Sequence, residues 1–338
     1  MKSVTRIAVG IAALGAFSIP AAAASAEPAA CGQIITTPGT TITLDSNLYC
    51  DGTALTVAAD NVTIDLAGFT VKGGASDPAA LTGGDPRYGG YAVGVHVIGT
   101  NRARITGGTI LGFDAGIVAD RATNLLVERV SITSPQYWGV WANDTNGLAV
   151  GGSTISGTWR VGEDVPTDDR GHYPEAGIEA ANSSGIAIAD STISGFRGNG
   201  VHTESVAGVT ITGTQSIDNA GDGVQSWATE GAFTVRNSSV VRNEDGILYN
   251  HSIGAATVTI DTVTASGNRQ HGVWVTDLRR ASVTKVDASG NGGLGIWLSS
   301  GLHSETGTLV SFQATISGST ATGNGQAGIG LDGTGAWW

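Results

Sequence analysis

Chemistry in this chain would be carried by a small set of residues in an otherwise bland composition. Only 14% of the residues are charged, yet the segment 158–175, TWRVGEDVPTDDRGHYPE, gathers Trp159, Arg160, Glu163, Asp164, Asp168, Asp169, Arg170, His172 and Tyr173. Just beyond it, Glu179, His202 and Glu204 fall at a spacing that stacks them on neighbouring turns of a repeating structure. Carboxylates one β-strand apart sit about 5 Å from each other, close to the separation used by retaining glycosidases. Glu179, His202 and Glu204 are therefore the candidate catalytic group, with Arg170 and His172 reaching over from the segment 158–175. Elimination beside a uronate carboxylate would instead need a base, and a cation to neutralise that group. Asp164, Asp168 and Asp169 could bind calcium, but they follow no spaced ligand motif. No metal site is assigned, no cofactor is required, and calcium stays an optional ligand.

Such residues need a scaffold, and the scaffold is a repeat. Gly followed by Val or Ile recurs at Gly94, Gly116, Gly139, Gly177, Gly200, Gly223, Gly246, Gly272, Gly295 and Gly328, and six of the nine intervals are 22 or 23 residues. Within each period a second apolar alternation follows, as in Val209-Thr210-Ile211 and Val258-Thr259-Ile260. Short β-branched runs with period two, separated by Gly, Asn, Ser and Asp, predict strands joined by turns. The 52 glycines argue against helix. One coil cannot bury its own apolar face, so the coils must stack, about 4.8 Å apart. Asn219, Asn243, Asn268, Asn291 and Asn324 each precede a repeat glycine by three or four residues and could bond to one another along the rod. Asp222 and Asp245, also ahead of repeat glycines, have the plain explanation of turn residues.

Alternation also assigns directions. The Val or Ile after each glycine points in, so the next residue points out: His96, Val118, Trp141, Glu179, His202, Gln225, Leu248, Trp274 and Trp297. Two residues further on, a second outward row reads Ile98, Asp120, Asn143, Ala181, Glu204, Trp227, Asn250, Thr276 and Ser299. The other strand carries mostly small outward residues, such as Thr210, Thr234, Thr259 and Thr284. Indoles beside amides and carboxyls suit a sugar chain, whose ring faces stack while its hydroxyls hydrogen-bond. Trp141, Asn143, Trp159, Tyr173, Gln225, Trp227, Asn250, Trp274 and Trp297 are the candidate substrate-binding residues; the competing reading packs the aromatics under loops or in an oligomer interface.

Residues 1–26 have the layout of a secretory signal peptide: basic Lys2 and Arg6, an apolar run from Ile7 to Ile19, and a small-residue end. Secretion permits disulfides, so Cys31 and Cys50 are expected to pair. Losing Lys2 and Arg6 would take the formal charge from −12 to −14, which argues against nucleic acid or an anionic membrane as partner. The expected division is signal peptide 1–26, an N-terminal cap with first coils over 27–72, and repeats over 73–338 with inserted loops at 73–91 and 158–175.

The Cys31–Cys50 opening, the run Val62-Thr63-Ile64-Asp65-Leu66-Ala67-Gly68 and the Asn-x-x-x-Gly-Ile/Val coils resemble the right-handed parallel β-helix proteins of the pectate-lyase-like superfamily, over roughly residues 31–333. The resemblance implies an all-β solenoid of about ten coils with an N-terminal disulfide. Enzymes, binding proteins and adhesins all use that fold. The lyase, polygalacturonase and alginate-epimerase signatures are missing; Asp85-Pro86-Arg87 is the nearest string, so no family catalytic residue carries over. The function expected is a secreted protein engaging polysaccharide on its Trp face, with lyase or hydrolase chemistry as one form and non-catalytic glycan binding or a surface-structural role as the other.

Overall fold

The chain is described by a computed structural model over residues 28–74, 92–160, 162–163, 176–250, 253–276, 280–299 and 313–332, without the side chains of 253–255. The expected signal peptide, most of the loops 73–91 and 158–175, and with them Asp164, Asp168, Asp169, Arg170, His172 and Tyr173, lie outside the described residues.

Strands of three to twelve residues stack in parallel register into a solenoid of about ten turns, and no helix occurs among the described residues. One sheet holds twelve strands, from Gln33–Ile35 to Ile329–Asp332. Ten of them carry the Gly-Val/Ile repeat. The two that precede it, Gln33–Ile35 and Leu55–Val57, pair into the same sheet without the motif. The remaining strands join into one sixteen-stranded sheet, because strands such as Thr123–Thr133 and Glu230–Val241 run through the corner between its two columns.

All three corners use left-handed residues that recur from coil to coil. Between the first sheet and the second, Gly99, Arg121, Asp144, Asn182, Ser205 and Ala228 follow one another down the rod with φ between 49° and 58°. Within the second sheet, Arg129, Asp190, Asn237, Thr262 and Lys285 stack in the same conformation with Gly107, Gly152, Gly213 and Gly318. A non-glycine residue there costs about 1 kcal/mol, which neighbouring coils offset by over-determining the bend. These fixed bends hold the strands between them flat, so the faces stay aligned from coil to coil.

The third corner carries the asparagine ladder. Each rung's backbone N–H donates to the Oδ1 of the next asparagine at 2.9 to 3.0 Å, from Asn219 through Asn243, Asn268 and Asn291 to Asn324. The amides of Asn219, Asn268 and Asn291 donate to the same oxygens. Above Asn219 the stack continues as Phe196, whose N–H donates to the Asn219 Oδ1.

The repeat Val and Ile residues from Val95 to Ile296 are buried in the tube with Phe113, Phe196, Phe233 and Tyr249. At the last described strand the same positions open, with Ile329 48% and Leu331 64% exposed. The expected disulfide is present: Cys31 and Cys50 are bonded with their Cα atoms 5.4 Å apart.

Candidate functional site

Strand register places the first predicted outward row residue for residue and the second as far as Asn250. His96, Val118, Trp141, Glu179, His202, Gln225, Leu248, Trp274 and Trp297 are successive partners, and Gly330 follows Trp297. The second row runs in register from Ile98 through Asp120, Asn143, Ala181, Glu204 and Trp227 to Asn250. On the other face, Thr210, Thr234 and Thr259 align, but the next partner is Ser282; Thr284 lies two residues on, bonded to Asp261 at 2.8 Å.

The aromatic column divides into a covered part and a presented part. Near the N-terminal end, Val118 and Trp141 are buried although their row faces out, and with Val93, Ala115 and Trp138 they form an apolar cluster outside the tube. Trp141 is therefore packed. Trp159 is packed as well: it is 4% exposed, its Nε1 donates to the Glu163 carbonyl, and the Arg269 guanidinium lies 5.8 Å from its ring. Its backbone N–H donates to the Gly195 carbonyl, which sets it against the ladder corner.

Toward the C-terminal end, the indoles of Trp274 and Trp297 stack with centroids 4.9 Å apart and planes within 7°. His271 meets both edge-on, at 5.2 and 5.3 Å. Leu248 flanks Trp274 on one side, while the position beyond Trp297 is Gly330, so no side chain from this column covers Trp297 there. Ser299 and Asp332 occupy the adjacent row beside it. Trp227, between Glu204 and Asn250, is 46% exposed. Asn250 accepts a bond from the Thr276 hydroxyl at 2.6 Å, and Asn143 is buried between Asn182 and Asp144.

Glu179 and His202 are partners on adjacent strands, and Glu204 lies two residues beyond His202 on the outward side of the same strand. The fold thus puts the three on one face. The Glu179 carboxylate accepts a 2.6 Å bond from the Trp138 Nε1.

A third outward column was missed by alternation. The residue before each repeat glycine also faces out, because the chain bends at the glycine. At Gly139 an added Cβ would meet the Ile155 side chain inside the tube at 2.2 Å. In the C-terminal half this column reads Asn199, Asp222, Asp245 and His271, and each accepts the backbone N–H of the next rung. Asn199 Oδ1 takes it from Asp222 at 2.7 Å, Asp222 Oδ1 from Asp245 at 3.0 Å, Asp245 Oδ1 from His271 at 2.6 Å, and His271 Nδ1 from Leu294 at 2.9 Å. Gln225 bridges across, accepting from Asn199 and donating to Asp222 Oδ2.

Asp222 and Asp245 are thus more than turn residues. Burial, reinforced by the Asp245 carboxyl, holds Asp222 well above the usual carboxylate range. Burial pushes Asp245 up to about 7, with the Glu244 charge adding to it and the His271 N–H and Arg269 opposing. Burial lowers the His271 imidazole, in keeping with an Nδ1 that accepts a bond. Among the described residues, no group of three or more His, Cys, Asp or Glu is arranged to hold a metal ion.

The stacked parallel strands and three-cornered coil define the class, a parallel β-helix repeat protein, and residues 93–254 match the family described as right handed beta helix region. No curated protein sequence matches the chain. Among solved structures, a variant of the periplasmic alginate epimerase AlgG is 15% identical over 88% of this chain and 78% of that one, with a TM-score of 0.57. The catalytic domain of a GH87 α-1,3-glucanase in complex with nigerose is 9% identical over 93% of this chain and 64% of that one, with a TM-score of 0.59. PfbA, a surface adhesin of Streptococcus pneumoniae, is 10% identical over 88% of this chain and 85% of that one, with a TM-score of 0.52. At these identities the likeness is one of fold.

Proposed function

We propose that this is a secreted polysaccharide-binding protein whose ligand lies on the outward face of the twelve-stranded sheet. The observation that carries the reading is the Trp274–Trp297 stack, edged by His271 and ending over Gly330. In this reading a sugar ring stacks on the Trp297 indole beside Gly330, with Asp332 in the adjacent row for its hydroxyls. Indoles on an outward sheet surface favour association unless a ligand uses them. The Cys31–Cys50 bond and the signal-like first 26 residues support export. An alginate epimerase and an α-1,3-glucanase share the fold, which is compatible with a glycan ligand. Trp297→Ala is expected to weaken retention by polysaccharide in affinity electrophoresis about tenfold, equivalent to about 1.4 kcal/mol, with a smaller loss of folding stability. Equal losses of both would make the indole structural and remove the reading.

The Asp222–Asp245 pair favours a second reading, in which the bound chain is also cleaved. Two adjacent buried carboxyls with raised pKa values can divide the work, one giving a proton to the glycosidic oxygen while the other, ionised, activates water or attacks the sugar. Glu179, His202 and Glu204 are the alternative centre, and Arg170 and His172 belong to it if the segment 158–175 covers them. Release of reducing ends, lost in Asp245→Asn and kept in Glu204→Gln, is the outcome expected of the first centre; the reverse pattern selects the second. Unsaturated ends in place of reducing ends would mark elimination.

A further inference from the structure

His271 does two jobs at the aromatic platform, and both depend on its protonation state. Its Nδ1 accepts the backbone N–H of Leu294 at 2.9 Å, and its ring meets the Trp274 and Trp297 indoles edge-on at 5.2 and 5.3 Å. The side chain is buried. A Cβ added to Gly293 would lie 2.7 Å from its Nδ1 and 2.8 Å from its Cε1, so the ring fills a niche that glycine leaves open. From this arrangement we propose that His271 is a proton-operated wedge: the neutral imidazole holds the Trp274–Trp297 platform in place for a sugar chain, and protonation in mild acid dismantles it and releases the ligand. The inference rests on the glycan reading above and adds how that site is regulated.

An Nδ1 that accepts a bond carries no proton, which fixes the neutral imidazole with its hydrogen on Nε2. A second proton has to go to Nδ1. There it would point at the Leu294 N–H, turning a bond into two opposed donors and leaving a buried backbone group unsatisfied. Turning the ring over in place puts a carbon against that N–H and restores nothing. The charged ring therefore leaves its niche, and the indoles lose the edge contact that they share. Attraction between an imidazolium and two indoles offsets only part of this, and burial prevails in lowering the imidazole below its ordinary value of 6.5. On its own turn stands Arg269, whose guanidinium lies over Trp159. The preceding turn brings Asp245, whose Oδ1 accepts the His271 N–H, and Glu244, which is bonded to Gln270. The following turn, 291–299, contains no charged residue. Asp245 takes up its own proton as pH falls through about 7, so in acid it supplies no anion to favour an imidazolium. The contribution of the imidazole is thus complete above pH 6.5 and is lost as pH falls through the lower folded value.

The test follows the mature chain from about pH 8 to about pH 4.5 by tryptophan fluorescence without ligand, and by co-sedimentation with insoluble xylan, β-glucan, α-glucan and chitin. The comparison is His271→Asn, because Asn199 accepts the next rung's N–H at the same place in the column through an oxygen that does not titrate. The wild type should show a fluorescence transition with its midpoint below pH 6.5, and retention about tenfold weaker at about pH 5 than at about pH 7.5. In His271→Asn the transition should vanish, and the two retentions should stay within about twofold of each other, whatever their absolute level. Wild-type retention that is flat with pH, or a fall as steep in His271→Asn, overturns the inference and leaves the glycan reading standing. If His271→Asn does not fold, nitrogen NMR of the wild-type imidazole decides: a bare Nδ1 above neutrality that gains its proton along the fluorescence transition is expected, and a protonated Nδ1 above neutrality overturns the inference. Retention by none of the polysaccharides at any pH overturns the glycan reading, and the fluorescence comparison still decides whether His271 operates the platform.

Discussion

Two ladders of side chains run along the same rod, two or three residues apart in each coil. The first is built from amides alone, Asn219 to Asn324, and each amide both accepts and can donate, so rungs close without charge. The second accepts along the rod: Asn199, Asp222, Asp245 and His271 each take one backbone N–H from the coil below. Asn199 shows that an amide suffices at this position. The chain nonetheless keeps two buried carboxyls on successive rungs, at an electrostatic cost that the fold does not require. Departures from local stability of this kind mark functional positions. One ladder holds the solenoid together; the other gives up some stability to place acid groups beside the aromatic platform.

The comparison can be broken most directly at the first ladder. Asn268→Ala strands the buried N–H of Asn243 and removes the bonds to Asn291 and to the Val240 carbonyl. A loss of about 3 kcal/mol in denaturant unfolding is expected. A loss below about 1 kcal/mol would mean that the ladder is not what binds the coils.

The second ladder should respond in the opposite direction. Asp222 and Asp245 hold protons in the folded state that the unfolded chain releases near pH 4, so their contribution is fully present below about pH 4. It is lost as pH rises through the folded value, about 7 for Asp245. Replacing both by Asn is expected to stabilise the protein on the order of 2 kcal/mol above neutrality and little in acid, flattening the thermal midpoint against pH. Destabilisation at neutral pH would show that the carboxyls are structural groups. The smallest effect is the control: Thr210→Ala, exposed on the other face, should change stability by less than about 0.5 kcal/mol and leave glycan retention unchanged.

The coil length, the parallel stacking, the disulfide and the asparagine ladder were all legible in the sequence. They depend on local periodicity and on repetition at a fixed interval. The first predicted outward row, and the second as far as Asn250, proved in register because alternation holds within a strand. It fails at the strand entrance, where the chain bends at the repeat glycine and turns the preceding residue outward, so the Asp222–Asp245–His271 column went unseen. A signal was available: Asn, Asp, Asp and His on successive rungs, at a place where strict alternation expects core. The packing of Trp141 was not legible, because its partners Val93, Ala115 and Trp138 stand at the strand entrances where alternation fails, and that of Trp159 because it lies in a segment without periodicity.

The direction of the asparagine ladder has a consequence for how the rod is made. Each rung's N–H is satisfied by the oxygen of the rung that follows it in sequence. A solenoid growing from its amino end therefore always has one donor waiting at its newest coil, and every added coil closes the old vacancy and opens an identical one. Between residues 219 and 324 each coil is therefore completed by the coil that follows it in sequence.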